Sequence, residues 1–238
     1  MESKFNIHLH TNYSDGRSQM RSYVERYIET GYNCLITSDH DYKMNRDKYI
    51  AQCLEAEDIM KEQMEKQKFP YCPIINCLEI SLGFEEAILI NKMMCMDWFR
   101  VKNEIHGECI EGRDEKLQEW LSLYNKEDYS IVLVHPGYCF DRMFCRYAPG
   151  VYKIFDAYEV GNCGSWIWRQ EPNRQILKDV MPQAREIAGL DAHSTGYVSD
   201  PVLGLTHNTI EVEIKTEKDL INLIKYGNYK VNEGANNG

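Results

Sequence analysis

The stretch Phe5-Asn6-Ile7-His8-Leu9-His10-Thr11, continued by Asn12-Tyr13-Ser14-Asp15-Gly16, reads as a strand over Phe5 to Leu9 that runs into a tight turn. Side chains two apart on a strand share a face. His8 and His10 therefore project together and can offer two imidazole nitrogens to one metal ion. Asp15 brings a carboxylate to the same strand end. A His-x-His pair alone is weak evidence, because solvated or core histidines produce the same spacing. Its weight depends on what the other strands deliver.

Outward from this stretch, short apolar runs alternate with helical ones. Cys34 to Thr37 reads as a strand and ends in Ser38-Asp39-His40; Ile74 to Ile80 carries Glu79 near its end. Ile131 to Val134 is wholly apolar, as a buried parallel strand is, and ends in His135-Pro136-Gly137. Ile187 to Leu190 ends in Asp191-Ala192-His193. Ala87 to Ile90, Ala157 to Val160 and Thr209 to Ile214 read as further strands, the first forming a hairpin with its predecessor around Gly83. Helices are predicted around Gln19 to Glu29, Arg46 to Lys68, Glu115 to Tyr124 and Pro172 to Val180. A last helix follows Thr216, a capping residue with Glu217 and Asp219 in its first turn.

Repeated strand–helix alternation predicts an α/β barrel or a doubly wound sheet. The strand ends favour the barrel: five runs deliver His, Asp or Glu at their C-terminal ends, the face where barrel enzymes carry their chemistry. Five of the seven histidines fall in these positions. Any one of them reads equally well as a polar group capping a strand; that reading is poor for all five together.

At 238 residues the chain can bury one full core, and the expected division is a single domain over 1–232 with a tail over 233–238. No run approaches the roughly 18 apolar residues of a membrane span, and MESKFNIHLH lacks a signal-peptide core, so a cytoplasmic protein is expected. The nine cysteines are odd in number and form no C-x-x-C pair, which favours reduced, packed thiols. With 27 Lys+Arg against 37 Asp+Glu the net charge is −10, and the basic residues are scattered among acids. Long nucleic acid is disfavoured as a partner, whereas a small anion bound through metal is not.

His8-x-His10-Thr11, Ser38-Asp39-His40, Glu79, His135-Pro136 and Asp191-Ala192-His193 resemble, in order and spacing, the motifs of the PHP (polymerase and histidinol phosphatase) family. The resemblance runs from the first strand to nearly the last helix. It implies a distorted (β/α)7 TIM-like barrel and a metal-dependent phosphoesterase with two or three divalent ions (Zn, Mn or Fe) in the mouth. On this resemblance His8, His10, Glu79 and Asp191 hold the first ion, and Glu79 bridges to a second that His135 also binds. Asp15, His40 and His193 hold a third, Asp39 orients its neighbouring imidazole, and Glu79 and Asp191 belong to the catalytic centre. His193 is a candidate proton donor to the leaving group.

One position departs from the pattern. Relatives carry a histidine on the strand after the bridging glutamate, where this chain has Ile88 in Ala87-Ile88-Leu89-Ile90-Asn91. His106, in Glu104-Ile105-His106-Gly107, is the candidate replacement; the alternative is a second ion weakly held or absent. Glu159 is expected to have a structural role at a strand end, and His207 to be an ordinary polar or core histidine. Arg17 and Arg142 are candidates for phosphate contacts, the aromatic loop Gly137 to Tyr152 for a pocket cover, and Trp166 and Trp168 for stacking or core packing. The leading expectation is hydrolysis of a small phosphate ester. The alternatives are a nuclease acting on nucleic-acid ends and a non-catalytic metal-binding module with a degenerate site.

Overall fold

Runs rich in Ile, Val and Leu take up the strands, and the charged stretches between them coil into helices. The computed structural model describes residues 2–66, 71–83, 85–136, 150–161, 167–196 and 206–233, with only the backbone described at 110, 111 and 167–173. In order come β1 (Ser3–Phe5), α1 (Met20–Thr30), β2 (Leu35–His40), α2 (Arg46–Lys66), β3 (Ile74–Ser81), β4 (Glu86–Ile90), α3 (Lys92–His106) and α4 (Ile110–Leu121). Then follow β5 (Ser130–Val134), β6 (Ala157–Val160), α5 (Ile167–Val180), β7 (Arg185–Ala188), β8 (Thr206–Ile210), α6 (Glu217–Tyr226) and β9 (Lys230–Glu233). The expected tail boundary falls at β9, which runs through Glu233; residues 234–238 lie outside the described residues.

Strands β2 to β7 form a six-stranded sheet in sequence order, and β1, β8 and β9 form a separate antiparallel sheet. The large sheet is mixed. β2 and β3 run parallel, as do β5, β6 and β7, but β4 is antiparallel to both its neighbours. The hairpin around Gly83 is therefore as expected, whereas Ile131–Val134 is parallel only to β6.

The expected closed barrel is not formed among the described residues. Edge strands β2 and β7 are joined instead through residues 6–10, by single bridges and side chains. Ser38 N donates to Leu9 O at 2.7 Å, Leu9 N donates to Ser38 Oγ at 2.9 Å, and His10 N donates to Ala192 O at 2.8 Å. Regular pairing of the first strand stops at Phe5 rather than Leu9. The reason is Asn6, whose buried Oδ1 accepts from His8 N (3.2 Å) and Leu190 N (2.8 Å) while its amide donates to Thr206 O (3.1 Å). A side chain that takes backbone partners competes with the ladder. Asn208 stitches the other side of the seam, its Oδ1 accepting from Ala188 N at 2.8 Å and its amide donating back to Ala188 O at 2.9 Å.

Burial follows the period-two pleat. One face of the large sheet packs Leu78, Ala87, Leu89, Ile131, Leu133 and Tyr158 against the outer helices. The opposite face sets Ile36, Cys77, Ile88, Val132, Val134 and Ile187 over α6, whose Leu220, Ile221 and Ile224 form an apolar floor. Thr216 and Asp219 close a reciprocal capping box at the start of α6. Helix α3, which the sequence reading does not anticipate, begins at Asn91, whose side chain accepts from Met94 N. It buries Met94, Cys95, Trp98 and Ile105.

Candidate metal centre

The pleat that lays the apolar floor also builds the polar mouth. Cys34 and Ile36 are followed on the same face of β2 by Ser38 and His40. Ile75 and Cys77 lead to Glu79 on β3, and Ala157 leads to Glu159 on β6. His135 follows β5 directly, and Asp191 follows β7 by three residues. Because β4 runs the other way, its first residue, Glu86, lies at the mouth, and Ile88, two residues on, sits deeper among the apolar side chains.

At the mouth the imidazoles and carboxylates converge. His8 Nε2 lies 3.5 Å from both Glu79 Oε2 and Asp191 Oδ1, and His10 Nε2 lies 3.3 and 3.2 Å from the same two oxygens. His135 Nε2 lies 3.7 Å from Glu79 Oε1 and 3.5 Å from Asp191 Oδ2. His40 Nδ1 lies 2.8 Å from Glu79 Oε2, while its Nε2 faces Asp15 Oδ2 at 3.5 Å. His193 Nε2 stands 3.6 Å from Asp15 Oδ1. Eight of the nine metal-ligand candidates thus meet in one cluster.

Outer contacts fix these donors. Glu159 is fully buried; it stands 2.7 Å from His8 Nδ1 and accepts from His135 N at 3.0 Å. A carboxylate behind a histidine sets the ring's orientation and its tautomer, leaving Nε2 to face the ion. Gly189 makes room for it, since a Cβ there would fall 1.6 Å from Glu159 Oε1. Asp39, also buried, accepts from Thr11 N and Thr11 Oγ1, both at 2.7 Å, and from Ser14 Oγ and Gln52 Nε2. These bonds pin the turn after His10 to the end of β2 rather than orienting His40. His135 (φ 43°) and Asp191 (φ 48°) adopt left-handed backbone, a conformation rare outside glycine and concentrated at functional sites.

Burial favours neutral forms and prevails at His10, whose pKa it lowers, yet Glu79, Asp191, His8 and His135 hold one another charged. Burial alone would raise Glu79, but His8, His40 and His10 hold its carboxyl well below the usual range. Asp191 is likewise held low by His8, His10 and His135 against the effect of burial. Burial pushes His135 down, and Asp191 and Glu86 outweigh it to bring the ring up to about 10. Burial also opposes the charge on His8, where Glu159, Asp191 and Glu79 prevail and raise it.

The donor set fits divalent ions. His8 Nε2, both nitrogens of His10 and both oxygens of Glu79 are buried without a hydrogen-bond partner, an arrangement that costs energy unless something positive sits among them. Donor atoms fall into small groups within 4.8 Å of one another: His8, His10 and Asp191; His10, Asp15, His40 and His193; and His40, Glu79 and Glu86. Mixed imidazole and carboxylate suit Zn, Mn or Fe.

His106 is not brought to this cluster. It ends α3, its Nε2 lies 2.6 Å from Ser81 O, and it meets the Trp98 ring edge-on at 6.1 Å. Among the described residues the sequence reading misses Glu86, whose Oε2 lies 3.4 Å from His135 Nδ1. It lies one residue before the predicted strand Ala87 to Ile90, at the end that the expected hairpin turns toward the mouth. Arg17 is exposed beside Asp15, its backbone N–H donating to His193 O at 2.7 Å. Arg142, Trp166 and most of the aromatic loop 137–152 lie outside the described residues, as does the Trp168 side chain. His207 packs edge-on to Tyr32 at 6.4 Å, away from the mouth.

A mixed α/β fold that gathers strand-end histidines and acids defines the class: the chain belongs to the PHP domain family, whose model matches residues 6–187. Among solved structures it is similar to a two-domain protein from Bacteroides vulgatus containing a predicted PHP-like metal-dependent phosphoesterase. The TM-score is 0.61 and the identity 13%, with 98% of this chain and 65% of that one covered. This chain thus spans about two thirds of that protein's length. It is also similar to a histidinol phosphate phosphatase from Lactococcus lactis solved with zinc, L-histidinol and phosphate, at TM-score 0.45 and 15% identity over 81% of this chain and 87% of that one. No curated protein matches the sequence. No helix among the described residues is long and apolar enough to cross a membrane.

Proposed function

We propose that this chain hydrolyses a small phosphate monoester at the mouth of the sheet, using two or three divalent ions (Zn, Mn or Fe). The observation that carries the reading is the meeting of His8, His10, Glu79 and Asp191, where His8 Nε2, both nitrogens of His10 and both oxygens of Glu79 are buried without a hydrogen-bond partner. These four would hold one ion. Glu79 with His135 would hold a second, and Asp15, His40 and His193 a third. Bound there, the ions would supply activation of water and neutralisation of phosphoryl oxygens, the two requirements of phosphate ester hydrolysis.

The chain's own residues do the rest. Glu159 keeps the His8 proton on Nδ1, and Asp39 holds the turn that carries Asp15. Arg17, exposed near Asp15, would meet a phosphate oxygen with charge-assisted hydrogen bonds. His193, about one-third exposed and the most accessible imidazole of the cluster, would be a ligand in the three-ion form; in the two-ion form its Nε2 would be free to pass a proton to the leaving alkoxide. Glu79 and Asp191 serve the reaction by fixing the ions. The acidity of the chain, −10 overall, favours a compact substrate over a polynucleotide.

The test is turnover of p-nitrophenyl phosphate and a panel of nucleotides and amino-alcohol phosphates by Mn- and Zn-loaded protein. His10→Ala and Asp191→Ala are expected to lower kcat/KM by at least about 100-fold, the scale of losing one charge-stabilising group. No turnover on any ester by fully metallated protein overturns the reading.

A further inference from the structure

Ile88 leaves the second ion one donor short, and the strand that carries it points to the replacement. β3 and β4 pair antiparallel with Glu79 opposite Ile88 and Ser81 opposite Glu86, and β4 pairs with β5 so that Glu86 faces Val134. Glu86 and Ile88 share a face of β4, and the reversed direction lifts Glu86 one pleat above Ile88, beside the point where His135 leaves β5. Resting on the metal-dependent reading above, we infer that Glu86 is a ligand of the second ion, replacing with a carboxylate the histidine this chain lacks.

Three observations carry the inference. Glu86 Oε2 lies 3.4 Å from His135 Nδ1, and neither that nitrogen nor either oxygen of buried Glu79 has a hydrogen-bond partner. Donor atoms of Glu86, Glu79 and His40 lie within 4.8 Å of one another, so Glu86 reaches the carboxylate that would bridge to the second ion. The turn that presents Glu86 is held from outside. His106 Nε2 meets Ser81 O at 2.6 Å, Leu82 N donates to Glu85 O at 2.8 Å, and Tyr152 donates to Glu85 Oε1 at 2.7 Å. His106, the other candidate, thus supports the hairpin rather than entering the cluster. A carboxylate at this position also makes the donor set harder and moves its preference from Zn toward Mn or Fe.

The rival role for Glu86 is to orient His135 from outside the ion's shell. Loss of such an outer partner weakens metal binding by roughly 10–100-fold and leaves the ion bound at saturation. Metal content of the full chain at saturation, measured by equilibrium dialysis against free Mn held more than about 1,000-fold above the wild-type Kd, separates the two. The expected result is one ion fewer per chain in Glu86→Gln than in the wild type, with an unchanged circular dichroism spectrum. Wild-type stoichiometry in Glu86→Gln overturns the inference and leaves the phosphoesterase reading standing; a wild-type protein that binds no ion overturns both. Should Glu86→Gln fail to fold, Glu86→His in cobalt-loaded protein decides the matter. A changed visible absorption spectrum supports direct ligation, and an unchanged one overturns it.

Discussion

Replacing Glu159 by glutamine removes one charge and almost no volume, yet the structure predicts a large effect on metal binding. The Glu159 carboxylate faces two donors: His8 Nδ1 at 2.7 Å and the backbone N–H of His135 at 3.0 Å. A carboxylate accepts both bonds, whereas an amide has one oxygen and one NH2 group. The backbone N–H cannot change its role, so the amide oxygen must serve His135 and the NH2 group must face His8 Nδ1. That nitrogen then becomes an acceptor, the proton moves to Nε2, and the nitrogen 3.5 Å from Glu79 and Asp191 is blocked as a ligand. Loss of an outer partner of this kind typically costs about 10–100-fold in metal affinity, or roughly 1.4–2.7 kcal/mol. The effect belongs at the upper end, because Glu159 is wholly buried and no water can reach His8 to restore the tautomer. Competition against a chelator of known affinity reads the loss, with circular dichroism to confirm the fold. Affinity within about twofold of wild type would refute the tautomer argument.

Two other outcomes follow from the same cluster. Asp39→Ala leaves the buried donors Thr11 N, Thr11 Oγ1 and Gln52 Nε2 without their acceptor, and Ser14 Oγ as well. At about 1–3 kcal/mol per unsatisfied group, even partial relaxation costs about 3 kcal/mol, a fall in Tm of roughly 6–12 °C at this chain length. A melt unchanged within 2 °C would show that the turn is held elsewhere, this limit being about the shift for 1 kcal/mol. The second outcome concerns pH. His135 is brought up to about 10 and His8 and His40 are also raised, so in chelator they stabilise the fold fully below 6.5 and lose that contribution as pH rises through the raised values. Glu79 and Asp191, held low, contribute above their ordinary range near 4 and lose it as pH falls toward their lowered values. Tm in chelator should therefore fall between pH 6.5 and 10. Adding metal at pH 7 should release protons into weak buffer, and metal uptake without proton release would contradict the assignment of charged imidazoles.

The candidate ligands were legible because they follow apolar runs: His40, Glu79, His135 and Asp191 each lie at or just beyond the end of a strand whose burial the sequence announces. Their meeting point follows from parallel pairing, which brings strand C-termini to one edge. The same rule hid Glu86. Searching strand C-termini finds the Ile90 end of β4, whereas an antiparallel strand delivers its N-terminus to the mouth. Helix α3 was concealed by Lys92, Asp97 and Arg100 interrupting an otherwise apolar segment, although Asn91 with Met94, Cys95 and Trp98 carries a cap and a helical spacing. His106 lies about as far along the chain as a ligand would, but it ends that helix outside the hairpin. The join between the edges of the open sheet was not legible either, because it rests on single bridges through residues 6–10 and on the side-chain amides of Asn6 and Asn208 rather than on any periodic pattern.

Anomalous diffraction from crystals of Mn-loaded protein, collected at the metal edge, tests the central claim most directly. The account predicts two or three peaks at the mouth. One lies among His8, His10, Glu79 and Asp191, one beside His135 and Glu79, and one among Asp15, His40 and His193. An absence of peaks there from protein shown to be metal-loaded in solution, or peaks only elsewhere, would contradict it.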